Sequence, residues 1–483
     1  MKKMMMFAAL IAAGCAASTT TQQGPESDAG AAPVDSDDPD PGEPCNAGAF
    51  LGCSGNIAKR CAADGVTVTQ ETCEAGCNAD AARCNECDPS TVTCADSALR
   101  ACGPEGLIAS TENCSLGCLA GEAPHCAHIV PEFLPSVCDV AASQPTLVIP
   151  GGQVNALDTN VAANCTGGII AQPNGPEVCV VRYGTISIDG FLQVTGQRAV
   201  AFVADSTLEI NNIVDVSATR RVSGPGGRRT SGAAASAAGG AGGGGAGGKQ
   251  VGGNGGSAGE LNDGQGTGGA IIDPLTTQLF EGGARAASVS GFNGNYRPTG
   301  GGGGGALMLI SCTGEVQVAG TIEAGGGGGD GGGDGSASSA ISLFGGAGGG
   351  AGGYVVMQGA RVTVSGKLFA NGGGGGGGCS TSNCVGVSGE DAAQIKARGG
   401  SGQGGGSAGG AGGFGATTAV TGSAGTPPGG GGGSVGRFQI FTPAGVAPTN
   451  TATSQPAFEP NKTVVARSSG SPWSSASCTS LTG

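Results

Sequence analysis

Six cysteines, Cys45, Cys53, Cys61, Cys73, Cys77 and Cys84, are followed at once by six more, Cys87, Cys94, Cys102, Cys114, Cys118 and Cys126. The steps are 8, 8, 12, 4 and 7 residues in the first set and 7, 8, 12, 4 and 8 in the second. The agreement marks two copies of one module, 45–84 and 87–126. Units of roughly 40 residues cannot fold by apolar burial alone, so cross-links must hold them. Three disulfides per module are expected, with the fifteen possible pairings left open. Such chemistry belongs outside a reducing cytoplasm.

Other positions recur with the cysteines. Gly65 answers Gly106, Gly76 answers Gly117, and Glu71-Thr72-Cys73 answers Glu112-Asn113-Cys114. Zinc is the competing reading, because Cys73, Cys77, Cys84 and Cys87 have metal-like spacing. Cys87 opens the second copy, however, and the exported context favours oxidation. The pattern resembles tandem cysteine-rich units of exported proteins in predatory soil bacteria, a resemblance that implies no activity and no cofactor.

The N-terminus reads as an export signal. Lys2 and Lys3 precede a short apolar run, Met4 to Ala13, too short for the ~20 residues of a membrane helix. Leu10-Ile11-Ala12-Ala13-Gly14-Cys15 resembles a bacterial lipobox, which implies a signal over 1–15, lipidation of Cys15 and a membrane partner through that anchor. In enteric bacteria Ala16 after the cysteine would imply the outer membrane. Cleavage near Ala17, giving a secreted protein, is the alternative. Residues 16–44 carry acids from Glu26 to Glu43, several prolines and no basic residue, as an extended spacer does.

The 483 residues include 103 Gly and 24 Pro, so 127 of 483, about 26%, are Gly or Pro. Trp473 is the only tryptophan. One ordinary core cannot run through such a chain. The net charge of −14 argues against a nucleic-acid partner, which needs a basic face. Arg220, Arg221, Arg228 and Arg229 form the one basic cluster and read as a solvated loop.

From Cys138 apolar residues alternate. Ile186, Ile188, Gly190, Leu192 and Val194 match Leu208, Ile210, Asn212, Val214 and Val216, 22 residues on. The pattern returns at Val316–Ile322 and Val362–Leu368, 46 residues apart. Further apolar strands are expected at 199–203, 307–310, 354–357 and 437–441. Period two gives strands, and a repeat near 22 residues is one coil of a parallel β-solenoid. This resembles the right-handed parallel β-helix of pectate-lyase-like folds. The expected fold class is mainly β, with a solenoid over 138–443 and an irregular tail over 444–483. The runner-up is a β-sandwich.

Glycine-rich insertions interrupt the coils at about 221–304, 324–352 and 371–436, always after the same strand pair. They therefore leave from one corner. Two pictures stay open: flexible loops, or extended helices of three residues per turn that exchange backbone hydrogen bonds. The tracts resemble mycobacterial polymorphic glycine-rich surface proteins, though a strict triplet period is missing. No strand, glycine loop and helix combination supports a nucleotide partner; Lys249 is followed by Gln250. Gly325 to Asp330 matches the start of a calcium nonapeptide but does not recur, so no metal is assigned.

No catalytic residue is assigned. His125 and His128 are the only histidines and read as spacers. Asp189, Asp205 and Asp215 are the acids to weigh for sugar chemistry, and the spacing does not stack them. Of the remaining cysteines, Cys379 with Cys384 and Cys165 with Cys179 suit local bridges. Cys138, Cys312 and Cys478 are left, with Cys312 read as a small buried hydrophobe. The expected function is a non-catalytic, lipid-anchored surface protein, structural or adhesive, with polysaccharide or envelope proteins as ligands. The alternatives are a polysaccharide lyase or hydrolase, and an assembly factor acting through the cysteine modules.

Overall fold

A computed structural model describes residues 44–121, 124–227, 240–258, 265–289, 298–333, 345–381 and 384–467. Cys15, the spacer up to 43, Arg228, Arg229, Trp473 and Cys478 lie outside these residues. The chain forms two compact units, divided between Cys87 and Asp88.

The first unit holds the first cysteine module. Strands Phe50–Ser54, Ile57–Cys61 and Val68–Thr72 make an antiparallel sheet, and Cys77–Asn78 pairs with Arg83–Cys84. Cys45 bonds Cys61, Cys53 bonds Cys77, and Cys73 bonds Cys84. Every sulfur of the zinc-like spacing is thus spent in disulfides, Cys87 included. The second module repeats the plan with Val92–Ala95, Ala98–Cys102 and Ile108–Asn113. Cys94 bonds Cys118 and Cys114 bonds Cys126; Cys87 and Cys102 are disulfide-bonded too. Gly65 and Gly106 recur because both turns need positive φ, +70° and +71°.

Beyond the modules the chain visits three sheets in rotation. Thr146–Ile149, Thr185–Ile188, Thr207–Ile210, Glu315–Val318, Arg361–Val364 and Thr449–Asn450 form the first. Val154–Asp158, Phe191–Thr195, Ile213–Asp215, Thr321–Glu323, Lys367–Phe369 and Thr453–Gln455 form the second. The third runs from Ile169–Ile170 through Val178–Tyr183, Ala199–Ala204, Ala306–Ser311, Tyr354–Gln358 and Arg437–Thr442 to Lys462–Thr463. All pairings in these sheets are parallel except Ile169–Ile170 with its neighbour. Ile188, Ile210, Val318 and Val364 stand in one row. Parallel neighbours are not what a hairpin-built sandwich gives. Strands between 449 and 467 extend the stack into the tail expected to be irregular; the weak alternation of Thr, Asn and Gln hid them.

The alternating residues fill the interior. Ile186, Leu192, Phe202, Leu208, Leu307, Val316 and Phe438 belong to one buried cluster enclosed by the three sheets. The third sheet is apolar on its outer face as well, where Val180, Met308, Val356 and Tyr354 meet Ile129, Leu134 and Phe280. Residues 128–143 strap that face. His128–Val130 pairs with Val465–Arg467, and Cys138 bonds Cys312. The Glu132 N–H donates to Gln358 Oε1 at 2.8 Å, and Gln358 Nε2 donates to the Glu132 carbonyl at 3.1 Å. Cys312 is therefore a cross-link, not a small hydrophobe. His128 is buried, with Nε2 3.3 Å from Asp139 Oδ1, rather than a spacer.

The glycine tracts leave after the second sheet and return into the third. Their described residues form extended rods joined mainly by backbone hydrogen bonds, with a few side-chain acceptors such as Asn254 Oδ1 for the Gly268 N–H and Asp391 Oδ1 for the Gly328 N–H. The rod 370–378 shows the rule. Gly372, Gly375 and Gly378 donate to Gly413, Gly410 and Ser407. Gly373 and Gly376 donate to Gly350 and Ala347, and Gly374 and Gly377 to Glu390 and Val387. Each third residue faces the same neighbour, as three residues per turn require. The same rod accepts from Gly326, Gly329 and Gly332, from Gly400 and Gln403, and from Gly430, Gly433 and Gly436. Six rods therefore surround it: 324–333, 345–353, 384–392, 397–403, 406–413 and 428–436. Rods 345–353 and 428–436 are enclosed in the same way, so the array is a hexagonal lattice. Its glycines have no room for a side chain, since a Cβ at Gly373 would lie 2.1 Å from the Gly327 carbonyl oxygen, and the few enclosed methyl groups belong to alanines such as Ala347 and Ala351.

Candidate binding surfaces

Strand geometry sets the outward face of the first sheet. Its inward residues are Leu147, Ile186, Leu208, Val316 and Val362, in register. The residues between them point out in two ladders: Thr146, Thr185, Thr207, Glu315 and Arg361, and Val148, Ser187, Glu209, Gln317 and Thr363. Neighbours in a ladder stand ~4.8 Å apart. Thr185 Oγ1 donates to Thr146 Oγ1 at 3.1 Å, and Arg361 Nη2 lies 3.4 Å from Glu315 Oε2. Thr363 and Gln317 also donate to Glu315, which holds its carboxyl below the usual range although partial burial opposes this. The result is a flat, hydroxyl- and amide-bearing face.

The three weighed acids have separate fates. Asp189 sits at the first bend, accepting from Asn211 Nδ2 at 2.8 Å and Ser187 Oγ. Asp205 is paired with Arg182 and takes the Ala142 N–H at 2.9 Å. Asp215 does not stack with Asp189 or Asp205, as the spacing predicts, but it has an acidic neighbour that the sequence did not reveal. It stands in register with Gln193 on one side and Glu323 on the other. The interval from 215 to 323 is one rung plus a long glycine tract, and the tract hid the column. Asp215 Oδ1 takes the Ser217 N–H at 2.8 Å and Glu323 Oε1 takes Gln394 Nε2 at 2.9 Å.

A third feature escaped sequence reading. A groove of about 470 Å³ lies between the strap and Val178–Tyr183, lined by Phe133, Leu134, Val137, Val140, Ile170 and Arg182. Burial pushes the Arg182 guanidinium below its usual range and the Asp205 carboxyl above its own, while each charge partly offsets the other's loss of water. Arg182 Nη2 also donates to the Val140 carbonyl at 2.9 Å and Nη1 lies 3.0 Å from Cys312 Sγ. Its donors are engaged in holding the strap, so it offers a ligand little. Asp330, from the calcium-like motif, is buried and held by Arg221 at 3.0 Å and the Thr299 N–H at 2.9 Å. Arg221 stays in an exposed turn, as expected, but its guanidinium is tied to this buried carboxylate. No group of three metal-ligating side chains occurs among the described residues.

Cys165 bonds Cys179, and Cys379 bonds Cys384. The many disulfides fit an exported or extracellular protein. Among the described residues no helix is long and apolar enough to cross a membrane. Comparison with protein-family models, with curated proteins and with solved structures gives no match to this chain.

Proposed function

We propose that this chain is a non-catalytic surface protein, lipid-anchored through Cys15, whose three-sheet body is a right-handed β-solenoid that presents a flat face to polysaccharide. The reading rests on the outward ladders of the first sheet. Hydroxyl, amide and carboxylate groups repeat there at a fixed spacing, which suits a ligand whose own hydroxyls repeat. Glu315 on that face is engaged by Thr363, Gln317 and Arg361, which favours a binding role for it over proton transfer. In a pull-down of the purified protein on neutral and uronic-acid polysaccharides, one class should be retained uncleaved. Replacing Thr185, Ser187 and Thr207 with Glu should abolish retention. Equal retention by that variant would reject the ladder as the binding face.

One observation favours a second reading, a polysaccharide-cleaving enzyme. Asp215 and Glu323 stand in register on adjacent parallel strands, and a pair of carboxylates is what such chemistry uses. Chain cleavage that is lost in both Asp215→Asn and Glu323→Gln would establish it.

A further inference from the structure

The outer face of the third sheet changes character at its last long strand. Ala306, Tyr354 and Arg437 stand in one row, and Met308, Val356 and Gln439 in the next. The rows are apolar as far as Tyr354 and Val356 and end in Arg437 and Gln439. Beside those two residues lies a cavity of about 140 Å³, bounded on its other side by the short helix Pro274–Thr277. One water needs only ~10–15 Å³ by this measure, so roughly ten water-sized groups fit, the bulk of one small molecule. The mouth is formed by Asp273, Pro460 and Lys462, all exposed, and the floor by Tyr354 and Gln439, 4% and 2% exposed.

Polar atoms at such depth are nearly always answered. Gln439 Nε2 is, donating to the Pro460 carbonyl at 2.7 Å and to that of Ile440 at 3.1 Å. Gln439 Oε1 and Tyr354 Oη have no partner among the described residues, and the little surface these side chains keep is cavity wall. The Tyr354 ring is fixed by Phe133 and Phe280, with centroids 6.2 Å and 6.0 Å away. Burial raises its phenol above the usual range, so the hydroxyl keeps its proton and can donate. The charges are unevenly engaged. Glu459 accepts from Arg437 Nη1 at 2.8 Å and lies 3.2 Å from Lys249 Nζ. Asp273 accepts from the Leu275 N–H at 3.2 Å and the Thr276 hydroxyl at 2.9 Å. Both carboxylates at the cavity are therefore held by the protein. Lys462 has no partner among the described residues, and Arg437 keeps Nη2 after Nε is taken by the Ile272 carbonyl at 3.2 Å.

We propose that this cavity binds a small carboxylate that carries hydroxyl groups, as a sugar acid does. The ligand carboxylate meets Lys462 and Arg437 Nη2, the two cationic donors left over. A ligand hydroxyl donates to Gln439 Oε1, which can only accept, and a second pairs with Tyr354 Oη. A carboxylate without hydroxyls leaves both floor atoms unanswered, and a neutral sugar makes no use of the cations. The site lies on a different sheet from the hydroxyl ladders and does not depend on them. Two sources carry this chemistry, a free sugar acid and the terminal unit of an acidic glycan.

Titration calorimetry on the whole purified protein, with glucuronate, glucose and acetate as probes, tests the assignment. Glucuronate should bind roughly tenfold or more tighter than glucose or acetate, each of which lacks one of the recognised groups. Tyr354→Phe leaves the ring in its aromatic cluster and removes only the hydroxyl, and should weaken glucuronate about fivefold. Lys462→Gln changes an exposed side chain and should weaken it about tenfold. Thr185→Glu, Ser187→Glu and Thr207→Glu together should leave it unchanged, which separates this site from the ladders. A short oligosaccharide ending in glucuronate distinguishes the sources. Tighter binding than glucuronate assigns the site to glycan ends, and equal or weaker binding assigns it to the free acid. The proposal is overturned if glucuronate does not bind, if the three small probes bind alike, or if either Tyr354→Phe or Lys462→Gln leaves the affinity unchanged. Loss of glucuronate binding in the ladder variant would overturn it as well.

Discussion

A Cβ added at Gly376 would lie 2.0 Å from the carbonyl oxygen of Asp330, well inside any permitted contact. The obstacle is backbone on both sides, so no side chain can swing away. Gly376→Ala should therefore lower stability by about 3 kcal/mol, near the upper end of overpacking effects. Ser257→Ala, on the exposed side of its rod, should stay within about 0.5 kcal/mol. Denaturant titration of both variants checks the contrast, and equal effects would mean the lattice is not close-packed. Asp64 makes a different residue-level case. Its carboxylate accepts from the Thr67 hydroxyl and from the N–H groups of Thr67 and Val66, which hold its pKa down to about 2 against a usual 3.8. The ionised form is the one the fold binds. Its contribution is therefore complete above pH 3.8 and is lost as pH falls through about 2. An NMR titration of the Asp64 carboxyl should show that midpoint; a value near 3.8 would remove the turn's hydrogen bonds from the account.

The strap of residues 128–143 covers the outer face of the third sheet through one strand pairing, one disulfide and one buried glutamine. Cys138 and Cys312 are 174 residues apart, so their bond closes a long loop. Removing it should cost about 5 kcal/mol on the chain-entropy argument. The double variant Cys138→Ser/Cys312→Ser should expose Phe133 to Val140 to limited proteolysis before the parallel sheets unfold. Cleavage first within the sheets would contradict this order. The strap was not legible in the sequence, because nothing local ties 138 to 312. The strands were, since Ile186 to Val194 and Leu208 to Val216 alternate with the same bend residue between them. The rods lay between these cases. An enclosed rod needs a tiny residue at every position, as in Gly345-Gly346-Ala347-Gly348-Gly349-Gly350. A flank rod needs one at two positions in three, as in Gly252-Gly253-Asn254-Gly255-Gly256-Ser257. A corner rod needs one in three, which is why Gly386, Gly389 and Ala392 are the buried residues of 384–392. The triplet period that looked absent changes with each rod's place in the lattice, so no single repeat could reveal it.

At the scale of the whole molecule, two kinds of order share one chain. The parallel sheets are held by apolar side chains, whereas the glycine lattice has almost none to bury. Its cohesion must come from backbone hydrogen bonds made in a water-free interior, where each is worth about 1 kcal/mol net and costs more if left unmade. The conformational entropy lost on ordering glycine is the opposing term, and it is larger than for any other residue. Such a lattice should therefore hold only as a block, with each enclosed rod depending on its six neighbours. Hydrogen exchange tests this directly. Amides of 346–353, 372–378 and 429–434 should be protected as strongly as those of Ala199–Ala204, although they belong to no sheet or helix. Gly376→Ala should speed exchange in all three rods together while leaving the protection of Ala199–Ala204 intact. Fast exchange in the unaltered protein would return the tracts to the flexible loops that their composition alone allows. Loss confined to one rod in the variant would make them independent strands and not a lattice.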